Sequence, residues 1–160
     1  MTEAEFARLV GLYRGVVFRA AYCCLGNYAD AEDISQEVFL ALLTYSGCFN
    51  DDEHIKAWLL RVTVNKCKDA RRVFLRRPTV PLEEAAERAV LPEEDSTLEL
   101  VMSLRQKLRA PLYMYYYEGY SVREIATLLN EKESTITTRL SRGRRKLKEL
   151  LTKEEKYGLQ

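Results

Sequence analysis

Histidine is nearly missing from this 160-residue chain: His54 is the only one, and tryptophan is likewise represented once, by Trp58. A lone imidazole excludes His-rich metal centres and leaves little material for a nucleophile–base pair. The four cysteines (Cys23, Cys24, Cys48, Cys67) have neither metal-ligand spacing nor the look of a disulfide framework, and read as reduced, buried thiols. No apolar run approaches the length needed to cross a bilayer, and Met1 to Glu5 lacks a basic leader, so a cytosolic protein without membrane insertion is expected. Charge of either sign is not in excess, at a formal +1. Whole-chain charge therefore implies no partner, whereas its distribution does. Acids gather at Asp30–Glu37 and Glu83–Asp95, and cations gather near the C-terminus.

What remains is strongly helical. Apolar residues recur at three- and four-residue steps and no strand pattern is evident, which predicts an all-α fold. A first helix follows a capping box, Thr2 to Glu5, and buries Phe6, Leu9, Val10, Tyr13, Val16, Val17, Ala20, Ala21 and Cys24 before Gly26-Asn27. A second, capped by Asp30, runs through Leu43 on a core stripe of Ile34, Val38, Ala41 and Leu42. A third runs from about Glu53 to Phe74, burying Ile55, Leu59, Val62 and Val73. Pro78, Pro81 and Pro92 then punctuate an acidic stretch, read as a flexible linker. Another capping box, Ser96 to Glu99, opens a helix through about Arg109. Pro111 is expected to begin or kink the next, which carries Tyr113 to Tyr117 and ends at Gly119. The expected organisation is an N-terminal helical unit over 1–75, a linker over 76–95 and a C-terminal helical unit over 96–153.

The last third is the most informative. In SVREIATLLNEKESTITTRLSRGRRKLKEL two helical patterns flank a four-residue polar turn, the first capped by Ser121 with Glu124 and stopped at Asn130. In the second, Ile136, Leu140, Leu147 and Leu150 share one face with Gly143. Thr137, Thr138, Ser141, Arg142 and Arg145 occupy the other. Six cations and no acid lie between Ser134 and Lys148. This is the pattern of a helix-turn-helix whose second helix enters the major groove of duplex DNA.

Two other constellations are open to more than one reading. In DAEDISQEVFLALL the residues Asp30, Asp33 and Glu37, flanked by Glu32 and Gln36, form either a solvated face or a docking face for a basic partner. In AWLLRVTVNKCKDARR a polar, mostly basic face (Arg61, Asn65, Lys68, Arg72) follows Trp58. That tryptophan either anchors its helix or clasps an unstacked base. An enzymatic alternative would draw metal ligands from Asp51, Asp52, Glu53 and His54, but consecutive side chains at a helix start diverge. No catalytic group, metal or cofactor is assigned.

Taken together, these three segments resemble the extracytoplasmic-function class of sigma factors, the small two-domain specificity subunits of bacterial RNA polymerase. DAEDISQEVFLALL is similar to the family's second conserved region, FNDDEHIKAWLLRVTVNKCKDARR to its melting and −10-reading region, and YYYEGYSVREIATLLNEKESTITTRLSRGRRKLKEL to its −35-reading domain. The resemblance implies that Asp30, Asp33, Gln36 and Glu37 dock on the clamp helices of the polymerase's largest subunit. It implies that Phe49, Asn50, Asp52, Trp58, Arg61 and Asn65 serve −10 recognition, with a flipped base held by the loop around Phe49 to Lys56. It assigns Thr135, Thr137, Thr138, Arg139, Ser141, Arg142 and Arg145 to the −35 element, with Arg139 and Arg144 either touching phosphates or packing. Expected partners are core RNA polymerase, including the flap of its second-largest subunit, promoter DNA and an anti-sigma factor. The acidic linker, by the same resemblance, threads toward the RNA channel. The chain departs from the family pattern at Leu104-Arg105, where Leu-Pro is usual, at Thr137, often basic in relatives, and at Gly143, where Ala is commoner at a helix-propensity difference of about 1 kcal/mol. The alternative function is a stand-alone helix-turn-helix regulator that works without polymerase.

Overall fold

The computed structural model describes residues 1–76 and 96–158. The acidic stretch read as a linker, with Glu83, Glu84, Glu87, Glu93 and Glu94, lies outside the described residues. Seven α-helices and no strand occur among those described: α1 (Glu3–Leu25), α2 (Tyr28–Thr44), α3 (Asp52–Arg76), α4 (Ser96–Met102), α5 (Gln106–Tyr116), α6 (Val122–Leu129) and α7 (Glu133–Gly158). The chain divides into two compact units, Met1–Ala89 and Val90–Gln160.

In the first unit α1 packs on both α2 and α3, and α2 also meets α3. Thr2 caps α1 by accepting from the Glu5 amide at 3.1 Å, and Gly26, in the left-handed region, closes it by donating to the Tyr22 carbonyl at 2.7 Å. The cap of the helix after it lies three residues earlier than expected. Asn27, not Asp30, is the cap, its side-chain oxygen accepting from the Asp30 amide at 3.0 Å. Asn is as good a cap as Asp, so the first acceptor that met a free amide ended the turn. Asp30 is thereby the third residue of α2, where its charge favours the positive helix end. Leu9, Val17, Leu42, Leu59 and Leu60 are fully buried together with Cys23 and Cys67. Val73 corrects its assignment to the core: it is 51% exposed, lying at the C-terminal end of α3.

In the second unit α5 and α6 both pack on α7, and α4 leans on α5. The single helix expected over 96–109 is two. Ser103 caps the end of α4 through its hydroxyl on the Leu100 carbonyl at 2.6 Å, and α5 restarts at Gln106. Pro111 neither begins nor ends α5 but lies inside it, buried. Its missing N–H deprives the Lys107 carbonyl of its usual partner, one unmade bond against a well-packed ring. The largest fully buried side chains of this core are Leu98 from α4, Leu112, Tyr113 and Met114 from α5, Ile125 from α6, and Ile136 and Leu140 from α7.

Candidate nucleic-acid and polymerase interfaces

The helix-turn-helix is built by local chemistry. Ser121 Oγ accepts from the Glu124 amide at 3.2 Å, the first half of a capping box, and its hydroxyl donates to the Glu124 carboxylate at 3.0 Å. Asn130 turns the chain in the left-handed region (φ 52°), its amide reaching back to the last turn of α6. The turn is three residues, Asn130 to Lys132, since α7 already starts at Glu133. Ile136, Leu140 and Gly143 are buried against α5 and α6, while Thr137, Thr138, Ser141, Arg142 and Arg145 are all exposed on the far side. Thr135 is half-buried. The hydroxyls of Thr137 and Thr138 donate to the Glu133 and Ser134 carbonyls at 3.0 and 2.9 Å. Their outward aspect is therefore methyl groups and oxygen lone pairs, suited to thymine methyls and base donors.

Gly143 explains how closely α7 approaches α5. A Cβ there would lie 2.5 Å from Leu112 Cδ1 and 3.0 Å from its Cγ. The departure from alanine thus makes room for Leu112, a packing reason that sequence alone did not contain. The two undecided arginines part company. Arg139 pairs with Glu131 at 3.4 Å, bracing the turn. Arg144 donates from Nε to the Tyr116 hydroxyl at 2.7 Å.

In the first unit, α3 places Trp58, Arg61 and Asn65 three and four residues apart, on one face. Arg61 and Asn65 are exposed and Trp58 is half-buried. Trp58 sits in an aromatic cluster whose members the sequence reading only partly found. Tyr45 lies 4.8 Å from Trp58 and 5.0 Å from Phe49 between ring centres, and Phe49 meets Trp58 at 5.6 Å. His54 contributes an edge contact to Phe49 at 5.3 Å. Gly47 permits the fold-back of Tyr45, because a Cβ there would collide with the phenol at 2.3 Å. Trp58 is thus packed against the two rings and only half-buried. A cleft of about 390 Å³ beside the cluster is lined by Arg8, Tyr45, Phe49, Asp51, Asp52 and Ile55, among others.

The acids of this loop are already engaged. Asp51 caps α3 by accepting from the His54 amide at 2.7 Å, and His54 Nδ1 accepts from the Asn50 amide at 3.1 Å. Asp52 forms a two-pronged pair with Arg8 at 3.1 and 3.2 Å, and its carbonyl receives the Tyr13 hydroxyl at 3.1 Å. The Arg8 hydrogen bond holds the Asp52 carboxyl below its ordinary range and raises the arginine in return. Among the described residues no cluster of three or more His, Cys, Asp or Glu could hold a metal ion. Through its bonds to Arg8 and Tyr13, Asp52 ties α1 to the start of α3.

On α2, Asp33, Gln36 and Glu37 are exposed and Asp30 is half-exposed. Glu37 also reaches Lys66 of α3 at 3.4 Å. The same outward stripe continues into Leu40 and Leu43, 60% and 52% exposed, which the sequence reading left unassigned. Their spacing of seven and ten residues from Asp33 was the available signal. The helix face is acidic over its first half and apolar over its second.

Comparison with known proteins agrees with this geometry. The Sigma-70 region 2 family matches residues 9–76, and the Sigma-70, region 4 family matches residues 94–147. The sequence is 30% identical to the ECF RNA polymerase sigma factor SigL of Mycobacterium tuberculosis, over 86% of this chain and 85% of that protein. It is 29% identical to SigW, an ECF sigma factor of Bacillus subtilis, over 93% and 90%. With SigM of Mycobacterium tuberculosis it shares 32% identity over 76% of this chain and 64% of the relative. In fold it is similar to the sigma factor RpoE solved with the anti-sigma factor NepR from Bartonella quintana, with a TM-score of 0.65 at 22% identity over 92% and 97% of the two chains. It is likewise similar to CnrH, solved with the cytosolic domain of CnrY, with a TM-score of 0.61 at 24% identity over 96% and 91%. The chain belongs to the extracytoplasmic-function family of RNA polymerase sigma factors.

Proposed function

We propose that this chain binds core RNA polymerase through α2 and directs initiation by reading two promoter elements with its two units. The observation that carries the reading is the occurrence, in one chain, of a region 2 unit with an acidic, leucine-tipped helix face and a region 4 unit with an exposed basic recognition helix. On α2, Asp33, Gln36 and Glu37 supply charge and hydrogen bonds to the clamp helices, and Leu40 and Leu43 supply apolar area. On α7, Thr137, Thr138, Ser141, Arg142 and Arg145 face the −35 major groove, with Thr135 and Arg139 at its margin. On α3, Arg61 and Asn65 follow the strand at the −10 element, and the Tyr45–Phe49–Trp58 cluster offers a flipped base an aromatic wall, with Asn50 and Asp52 holding the loop.

Base capture does the work of opening. Unstacking a nucleotide costs a few kcal/mol, and stacking on an aromatic recovers about 1–3 kcal/mol. Only a base that also finds its polar partners tips the balance, so recognition and melting are one event. The reading requires no covalent chemistry. An anti-sigma partner that covers the same faces is part of the proposal, as is a cytosolic location; no helix among the described residues is long and apolar enough to cross a membrane.

The double variant Asp33→Arg with Glu37→Arg tests it. Like charges facing like across an interface cost several kcal/mol, so core binding should fall by more than about a hundredfold and promoter-directed transcription with it. A stand-alone regulator would instead retain its operator binding and would not need polymerase.

A further inference from the structure

Resting on the −10 role proposed for the first unit, we propose that Arg8 of α1 is a positioning residue for base capture. It holds the start of α3, and the loop before it, in the geometry that receives a flipped base. The loop's own bonds at this end are local. Asp51 accepts from the His54 amide at 2.7 Å, and His54 Nδ1 accepts from the Asn50 amide at 3.1 Å. Bonds of three- and four-residue span shape a turn without locating it against the rest of the unit. Arg8 and Tyr13 reach across 44 and 39 residues of sequence to do that. The guanidinium meets both carboxylate oxygens of Asp52 at 3.1 and 3.2 Å, and the phenol donates to the Asp52 carbonyl at 3.1 Å.

Arg8 and Asp52 line the same cleft of about 390 Å³ as Tyr45 and Phe49, so the ion pair is part of the wall beside the aromatic cluster. Tyr45 and Phe49 in turn pack on Trp58, with ring centres at 4.8 and 5.6 Å. A shift of the loop therefore moves two of the surfaces proposed to receive the base. Groups that bind must be held to within about 0.5 Å by the residues behind them, and a two-pronged pair fixes direction as well as distance. Ordering the loop in advance also reduces the entropy lost when the base arrives. The pair contributes little to folding: its side chains are 49% and 51% exposed, and ion pairs so open to water add little stability. Its effect is accordingly expected in capture, not in the unfolding midpoint.

The test uses the full chain, first free and then assembled with core polymerase. Trp58 is the only tryptophan of the chain, so its fluorescence reports on the loop that packs against it. In the free protein, Arg8→Ala should raise acrylamide quenching of Trp58 and leave the urea midpoint at the wild-type value. In holoenzyme, opening is followed with a fluorescent adenine analogue placed in the −10 element. Arg8→Ala should slow it by about three- to fivefold, the rate equivalent of an exposed two-pronged pair, with closed-complex affinity unchanged. Asp52→Ala should do the same. The double variant should be no slower than either single one, because all three lack the same contact. Additive losses would overturn the proposal, since each side chain would then act on DNA by itself. Weakened closed complexes for Arg8→Ala would also overturn it, as the mark of a direct phosphate contact. So would unchanged quenching or an unchanged opening rate. Should Arg8→Ala fail to fold, Arg8→Met, which keeps the length of the side chain without its charge, carries the same expectations. Wild-type holoenzyme that opens no promoter would refute the −10 role itself, and the capture role of Arg8 with it, even where the quenching of Arg8→Ala had risen.

Discussion

At residue scale, the sharpest constraint is the space over Gly143. Alanine would improve helix propensity by about 1 kcal/mol, yet its methyl would enter the volume held by Leu112, which is itself buried. Overpacking of this kind costs about 1–3 kcal/mol, so Gly143→Ala is expected to lower stability by a net amount on the order of 1 kcal/mol. Denaturant titration of the variant measures it, and Leu112→Val in the same chain should recover part of the loss, since the two sites touch. A second residue-scale effect concerns pH. The Cys67 thiol, hydrogen-bonded with Cys24 and buried, is pushed up beyond its ordinary 9.0, and burial with nearby Asp52 lifts the Tyr13 phenol above 10.0. Both groups keep their protons longer folded than unfolded. Their stabilisation is complete below pH 9.0 and is lost as the pH rises past the unfolded values toward the folded ones. Urea midpoints of wild type should therefore drop between neutral and alkaline buffer, and Cys67→Ala should show a shallower drop.

At the scale of elements, α2 and α3 show what periodicity can and cannot deliver. The helices themselves, their buried stripes and the exposure of Thr137, Thr138, Ser141, Arg142 and Arg145 follow from three- and four-residue spacing, because a helix face is a local property. Cap choice between Asn27 and Asp30 is not, since both residues are competent and the pattern does not rank them, whereas Asn27 makes the bond. The tyrosine cluster was equally hidden: Tyr45 meets Trp58 only because the loop between α2 and α3 folds back. Leu40 and Leu43 are visible in the pattern but belong to no core, and their exposure leaves them available as the contact area proposed for α2. Leu40→Ser with Leu43→Ser should leave unfolding midpoints within about 0.5 kcal/mol of wild type, as surface changes do. Core-polymerase affinity, read by fluorescence titration, should nonetheless fall by about tenfold or more, since burying the exposed half of each leucine at an interface is worth about 1 kcal/mol. On α3, Trp58→Ala removes a stacking surface worth about 1–3 kcal/mol per base. Permanganate footprints of holoenzyme complexes should show −10 thymines less reactive in the variant, with closed-complex affinity nearly intact.

For the molecule as a whole, the proposed reading divides tasks between two units, one to capture single-stranded bases and one to read duplex. Both are expected to act together when mounted on one polymerase, since linking two binding modules raises the effective concentration of the second. Family membership was legible because three motifs fall in order along the chain, a long-range regularity that composition, at a formal +1, does not carry. Transcription by purified core enzyme over a genomic promoter library, with and without this chain, tests that division most directly. Discrete start sites should appear only when the chain is present, each preceded by two shared sequence blocks at a fixed spacing. Start sites identical to those of core enzyme alone would contradict it.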